Sequence, residues 1–280
     1  MVHEEKEYVG YDGKRMFMHL WRPADDKPRA LIVAIHGLGS HGGDMRTIGE
    51  FLAGRDLAVF APDMRGFGHF SGLKGHVMDF DEYIEDMHNI IMQAKDQYKN
   101  RITFAYGHSL GGLHVIRYAL TYPKEIDGSI LSCPAVSETL EIGKGTRLVG
   151  KILSVLNVKR YFENGIEYED LTRNKEVVEA HKTDPLRFDK MTPRFGISAL
   201  NAQQEAIEAS EMIRLPVLMQ QAGADKLVSP EKAKQFFDRI SAKDKTWKLY
   251  DGFYHEIFEE PGGEQVLADL YSWLERRIPR

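Results

Sequence analysis

The chain alternates between short, fully apolar runs and longer stretches in which apolar residues return every three or four positions, the contrast that separates buried strands from amphipathic helices. Ala30 to Ile35, Ala58 to Ala61, Ile102 to Tyr106 and Ser129 to Ser132 read as buried strands, with helical patterns between them near residues 44–53, 79–99 and 111–121. The second of these helices places Phe80, Tyr83, Ile84, Met87, Ile90, Ile91 and Ala94 on one broad face, which should cover one side of a sheet. This alternation predicts a mostly parallel sheet with right-handed crossovers and helices on both faces, an α/β fold. Ahead of it, Glu7 to Tyr11 and Arg15 to Trp21 flank Asp12-Gly13, which predicts an antiparallel hairpin closed by a two-residue turn.

From Pro134 to about Leu200 the strand signals fade; Val217 to Gln221 and Thr246 to Tyr250 then restore them, each with a helix behind it. The expected organisation is a core made of residues 1–133 and 201–280, with residues 134–200 inserted as a helical cap or lid. Within the insertion, Thr146 to Arg160 holds four basic residues and no acid. Leu148, Val149, Ile152, Leu153 and Leu156 would share one face, able either to pack on the core or to rest on a lipid surface with the cations toward head groups. On both readings the segment supplies apolar surface above the sheet.

Composition narrows the picture. A 280-residue chain that is 42% hydrophobic can build a large core. A net charge of −5 supplies no basic footprint for nucleic acid. Cys133 stands alone, so no intrachain disulfide is expected and the cytoplasm is the expected location. The polar, acidic Met1 to Glu7 stretch lacks the pattern of a secretory signal, and no apolar run approaches the roughly 20 residues that span a bilayer.

The candidate chemistry begins with Gly107-His108-Ser109-Leu110-Gly111, which follows a predicted strand and opens a predicted helix. A serine at such a turn stands clear of the sheet at the carboxyl edge, where open α/β sheets place their ligands. Its hydroxyl is a poor nucleophile near neutral pH and needs a base, which needs an orienting acid. On this fold the chain order is Ser, acid, His. His255, just after the last predicted strand, fits the base. Asp225, directly after the Val217 to Gln221 strand, fits the acid, with Asp251 and Glu256 as the alternatives. An oxyanion hole would use the backbone N–H of Leu110 and, from the His36-Gly37-Leu38-Gly39 loop, that of Leu38. His36 should brace that loop by hydrogen bonding. Because the base must be neutral, activity should fall below about pH 6.5.

No metal is expected from the spacing of His36 and His41, five apart with no third ligand, and no cofactor is expected. Asp63-Met64-Arg65-Gly66-Phe67-Gly68 lacks the dinucleotide-binding glycine spacing and reads as a structural turn.

Taken together, these motifs resemble the α/β-hydrolase fold and, within it, the monoacylglycerol lipase family of serine hydrolases with a helical cap. The resemblance rests on His36-Gly37-Leu38-Gly39, Asp63 with Gly66 and Gly68, the Ser109 pentapeptide with Gly112, Gly223-Ala224-Asp225 and Tyr254-His255. More selective are Leu171-Thr172-Arg173-Asn174, Thr183-Asp184-Pro185-Leu186 and Asp244-Lys245-Thr246. It implies cleavage of a monoacylglycerol to fatty acid and glycerol, a lipid ester as substrate, and a cap that shapes an apolar acyl channel. Two positions depart from the pattern: Ser40 stands where these lipases often carry glutamate, and Phe70 where the glycine loop often carries serine. The rivals are a lysophospholipase, a general carboxylesterase, an aminopeptidase using the acidic cluster Glu163, Glu167, Glu169 and Asp170, and a ligand-binding module that has kept the fold without turnover. An epoxide or haloalkane hydrolase would need a carboxylate in place of Ser109.

Overall fold

The computed structural model describes residues 1–137 and 144–279, with backbone alone for 144–147, so the part of the insertion at 138–143 and the side chains of Thr146 and Arg147 lie outside the described residues. In chain order the elements are β1 (Val2–Val9), β2 (Arg15–Arg22), β3 (Ala30–Ile35), α1 (Arg46–Ala53), β4 (Leu57–Pro62), α2 (Asp81–Gln97), β5 (Ile102–His108), α3 (Leu110–Thr121) and β6 (Gly128–Ser132). After β6 come α4 (Lys144–Val155), a short β7 (Phe162–Glu163), α5 (Lys175–Thr183), a short β8 (Lys190–Met191) and α6 (Pro193–Glu208). The chain then returns to the sheet as β9 (Val217–Ala222), α7 (Pro230–Arg239), β10 (Lys245–Tyr250) and α8 (Glu264–Glu275).

Eight strands form one sheet in the order β1-β2-β4-β3-β5-β6-β9-β10, antiparallel at β1–β2 and β2–β4 and parallel elsewhere. This is the α/β-hydrolase fold expected from the sequence. β3 is buried along its whole length because both faces are covered: Leu31, Val33 and Ile35 pack with Ile84, Met87 and Ile91 of α2, while Ile32 and Ala34 pack with Leu52, Leu270 and Trp273. All seven predicted core positions from Phe80 to Ala94 are buried. From β3 the sheet grows to one side through β4 and to the other through β5, so the crevice at their carboxyl ends is the topological switch point. Register brings Ile35 opposite Gly107 and His108 opposite Ser132, which sets the loops after β3 and β5 side by side.

Two expectations change. The hairpin pairs from Val2 to Arg22, and its connection is a five-residue loop between the Val9–Arg15 pair rather than a two-residue turn. Gly13 alone in that loop takes positive φ, at 81°, and Gly10 N–H bonds to Lys14 C=O at 2.8 Å. Asp12 is held instead by Arg65, at 2.9 and 3.0 Å, which widens the loop. Second, of the two readings left open for the Thr146 to Arg160 stripe, packing on the core does not hold: Leu148, Val149, Ile152, Val155 and Leu156 are 51–78% exposed, while Ser154 is buried and Gly150 lies against Ile197 of α6. Among the described residues, no helix is long and apolar enough to cross a membrane.

Candidate active site

Ser109 sits between the last residue of β5 and the first of α3 with φ 55° and ψ −119°. A residue with a Cβ pays of order 1–3 kcal/mol to hold such a conformation, so the surroundings must enforce it. They do: a Cβ on Gly107 would stand 2.1 Å from the Gly111 carbonyl oxygen, and one on Gly111 would stand 2.2 Å from that of Ile35. Only glycine allows the strand, the turn and the helix to close this tightly. The loop after β3 presses on the same turn, since a Cβ on Gly37 would be 3.4 Å from Ser109 Cβ. Among the described residues, neither the Leu38 nor the Leu110 N–H has an acceptor, as expected of a free first-turn donor in the case of Leu110.

Asp225 follows β9 and His255 follows β10, neighbouring strands in the sheet. His255 Nδ1 lies 2.8 Å from Asp225 Oδ2, and both side chains are almost wholly buried. An ionised carboxylate only accepts, so Nδ1 carries the proton and donates it. Asp225 also accepts from the Leu227 and Val228 N–H groups at 2.9 and 3.0 Å and from Gln221 Nε2 at 3.1 Å. Burial resists its ionisation, but the His255 charge and these donors prevail and hold the carboxyl below its ordinary pKa. For His255, burial disfavours the cation, yet the Asp225 charge and hydrogen bond outweigh it and the pKa rises above 6.5. His255 Nε2 is buried and makes no hydrogen bond, so of the two links expected in the relay the structure closes Asp225–His255 and leaves Ser109 unjoined. Such a serine–base link is often loose before substrate arrives. Of the alternative acids, Glu256 is engaged by His181 at 2.8 Å and Asp251 is exposed.

Neighbouring histidines are fixed in neutral roles. His36 Nδ1 donates to Gly37 C=O at 2.8 Å while Nε2 accepts from the Met64 N–H at 2.9 Å, and burial lowers its pKa to about 4. It braces the loop, as the sequence led one to expect. Asp63 ties this loop to the glycine turn, accepting from the Gly42 N–H at 2.7 Å and from the His69 N–H at 2.6 Å. His108 packs its ring 4.7 Å from that of His255, and burial together with the nearby His255 lowers its pKa to about 3. It therefore adds no charge beside the candidate base.

A cavity of about 620 Å³ opens over these groups, lined among others by Leu38, Ser109, Leu171, Leu227, His255 and Phe258. One wall is polar, built from residues far apart in the chain. Arg187 lies 2.7 Å from Asp44 and 3.5 Å from Glu256; His181 bonds Glu256; His41 Nε2 bonds Asp184 at 2.9 Å. These partners are 69 to 143 residues apart in the chain, so no local motif announces them. The histidine and arginine partners hold Glu256 against the cost of its burial, with a pKa of about 2. Ser40 joins the same network, donating to Asp44 at 2.5 Å. Among the described residues, those of α4 do not line this cavity.

A serine on a glycine-flanked elbow, at the switch point of a sheet in this strand order, defines the α/β-hydrolase class. A family model described as "Serine aminopeptidase, S33" matches residues 26–262. A monoacylglycerol lipase of Mycolicibacterium smegmatis is 30% identical over 96% of both chains, and phospholipase YtpA of Bacillus subtilis is 31% identical over 92% of this chain and 100% of its own. The crystal structure of Paleococcus ferrophilus monoacylglycerol lipase superposes with a TM-score of 0.84 at 32% identity, covering 92% of this chain and 98% of that one. The chain belongs to this α/β-hydrolase family, in the lipase and esterase group that includes the monoacylglycerol lipases.

Proposed function

We propose that the protein is a serine carboxylic ester hydrolase that cleaves a monoacylglycerol to a fatty acid and glycerol, with Ser109, His255 and Asp225 as its triad and residues 134–200 as its cap. The observation that carries this reading is His255, fixed by Asp225 through Nδ1 and left with a free Nε2 in the wall of the cavity that Ser109 also lines. Ser109 Oγ attacks the ester carbonyl as its proton passes to His255 Nε2, and the oxyanion is held by the Leu38 and Leu110 N–H groups. Collapse breaks the ester bond; the glycerol oxygen leaves with the proton from His255, and the acyl group stays on Ser109. Water then attacks the acyl-enzyme, giving its proton to His255, and fatty acid departs as Ser109 recovers it.

A lysophospholipase is the second reading, supported by the likeness to a phospholipase and by the polar cavity wall of Asp44, Arg187 and Glu256, which suits a substrate with a polar head. The aminopeptidase reading keeps the description of the matching family model but loses its acidic cluster: Glu169 and Asp170 are paired with Lys182 and Lys226 at 2.6 Å, and none of Glu163, Glu167, Glu169 and Asp170 lines the cavity. The exposed residues Leu148, Val149, Ile152, Val155 and Leu156, next to Lys151, Lys159 and Arg160, fit peripheral contact with a lipid surface inside the cell.

Fluorophosphonate labelling, repeated on Ser109→Ala, tests the nucleophile; labelling that survives the substitution overturns it. Turnover of mono-, di- and triacylglycerols beside lysophosphatidylcholine then sorts the substrate, and faster release from the lysophospholipid rejects the monoacylglycerol assignment.

A further inference from the structure

A second group of chemistry-bearing side chains lies on one face of the N-terminal hairpin. Side chains two apart on a strand share a face with those of the residues opposite them on the next strand. Glu5 is opposite His19 and His3 is opposite Trp21, so these four share one face. His3 Nε2 lies 3.1 Å from His19 Nδ1, and Glu5 Oε1 lies 3.6 Å from that same nitrogen. His3, Glu5 and His19 thus offer three donor atoms all within 4.8 Å of one another.

The two separations at His19 Nδ1, 3.1 and 3.6 Å, are close to those of a coordination shell. Two ligand atoms about 2.0–2.1 Å from a tetrahedral zinc ion stand roughly 3.3–3.4 Å apart. The Trp21 ring, fully buried, stacks on the His3 ring at 4.7 Å and 9°, which gives that exposed imidazole a defined seat. His19 is buried, and its other nitrogen, Nε2, makes no hydrogen bond. His41 and Asp63 each hold a donor atom within 4.8 Å of one on His19, without a hydrogen bond to its Nε2.

We propose that His3, Glu5 and His19 bind one transition-metal dication of the zinc class, through Nε2, a carboxylate oxygen and Nδ1, with water completing the tetrahedron. Two imidazoles and one carboxylate favour zinc, nickel or copper over magnesium or calcium. The ion ties β1, the edge strand of the sheet, to its neighbour β2, and two of its ligands, Glu5 and His19, line the cavity that Ser109 also lines.

Isothermal titration of the chelator-stripped full chain with zinc chloride, and with magnesium chloride as the contrast, tests this at pH 7.5. His3 and Glu5 are exposed, so His3→Ala and Glu5→Gln remove ligands without emptying the core. His255→Ala guards against zinc captured by the candidate catalytic imidazole. The expected result is one zinc per chain in the wild type and in His255→Ala, affinity reduced at least about 10-fold in His3→Ala and Glu5→Gln, and no magnesium uptake. The thermal midpoint should rise with zinc in the wild type and stay fixed in His3→Ala. A wild type that takes up no zinc at about 100 µM, or a His3→Ala variant that binds as tightly, overturns the assignment and leaves a histidine–histidine hydrogen bond as the sole role of the pair.

Discussion

Replacing Asp225 by asparagine separates charge and tautomer from shape. The native carboxylate accepts four N–H bonds: Leu227 and Val228 on Oδ1, His255 Nδ1 and Gln221 Nε2 on Oδ2. Asparagine keeps the Oδ1 pair but sets an amide NH2 against two donors on the other side. His255 resolves the conflict by moving its proton to Nε2, the nitrogen that must stay free to receive the Ser109 proton. In a triad of this kind the wrong tautomer alone costs about 10⁴ in kcat, or ~5.5 kcal/mol of barrier at 1.36 kcal/mol per tenfold. The pH profile should move as well. In the native protein, burial lowers the His255 pKa and Asp225 more than offsets it, so the pKa is raised and the neutral base is lost as pH falls through a value above 6.5, higher than an unperturbed histidine would give. Without the carboxylate, burial outweighs the remaining Glu256 charge and the acidic limb drops below 6.5. Hydrolysis of a soluble p-nitrophenyl ester from pH 5 to 9, with urea unfolding as the control for folding, measures both effects. A variant within tenfold of wild-type kcat, or one with an unmoved acidic limb, would show that Asp225 does not orient this imidazole.

Ser109→Gly should abolish ester hydrolysis yet raise stability by about 1 kcal/mol, because glycine adopts φ 55° without the strain a Cβ brings; urea midpoints compare the two chains. Gly111→Ala should lower stability by about 1–3 kcal/mol, since its Cβ would meet the Ile35 carbonyl oxygen at 2.2 Å, and kcat should fall with it as the elbow shifts. Arg65 is buried with Nε and Nη2 each 2.9 Å from the fully buried Asp86, so Arg65→Ala should cost about 3–5 kcal/mol in urea unfolding, and pairing it with Asp86→Ala should recover part of that loss.

The parts legible in the sequence are those written within one element or one loop. The β3 run, the seven-residue apolar face of α2 and the Ser109 pentapeptide each declare themselves because burial, periodicity and steric need act on consecutive residues. Asp225 and His255 were readable because each follows a strand whose carboxyl end is fixed by the sheet. Contacts made across the fold stayed hidden. Arg187 and Asp44 are 143 residues apart, and each alone reads as a solvated charge. Ser40, which departs from the lipase pattern, finds its reason only in Asp44, four residues on but bound also to Arg187. The α4 stripe left two readings open for a related reason: hydrophobic periodicity says that a stripe exists and not which medium it meets, and here Leu148, Val149 and Ile152 are exposed while Gly150 turns toward α6. His3, Glu5 and His19 illustrate the same limit, since a donor set assembled across two strands has no characteristic spacing.

The selective stretches that marked the resemblance prove to be fasteners. Thr172 Oγ1 and the Arg173 backbone and guanidinium N–H groups all bond to Glu260, at 2.9, 2.5 and 2.6 Å, and the Glu256 N–H bonds to Leu171 C=O at 2.7 Å. Asp184, in the second stretch, bonds His41 in the loop after β3. The segment between β6 and β9 is therefore anchored to the loop that carries His255 and to the loop that carries Leu38. Glu256 makes the coupling direct: its backbone and carboxylate both grip that segment, one residue from the candidate base. Displacing the segment would have to break the buried Glu256–His181 pair, and leaving one buried partner uncompensated is costly. Substitutions at His181 should therefore act on turnover through the His255 loop, although His181 makes no contact with Ser109.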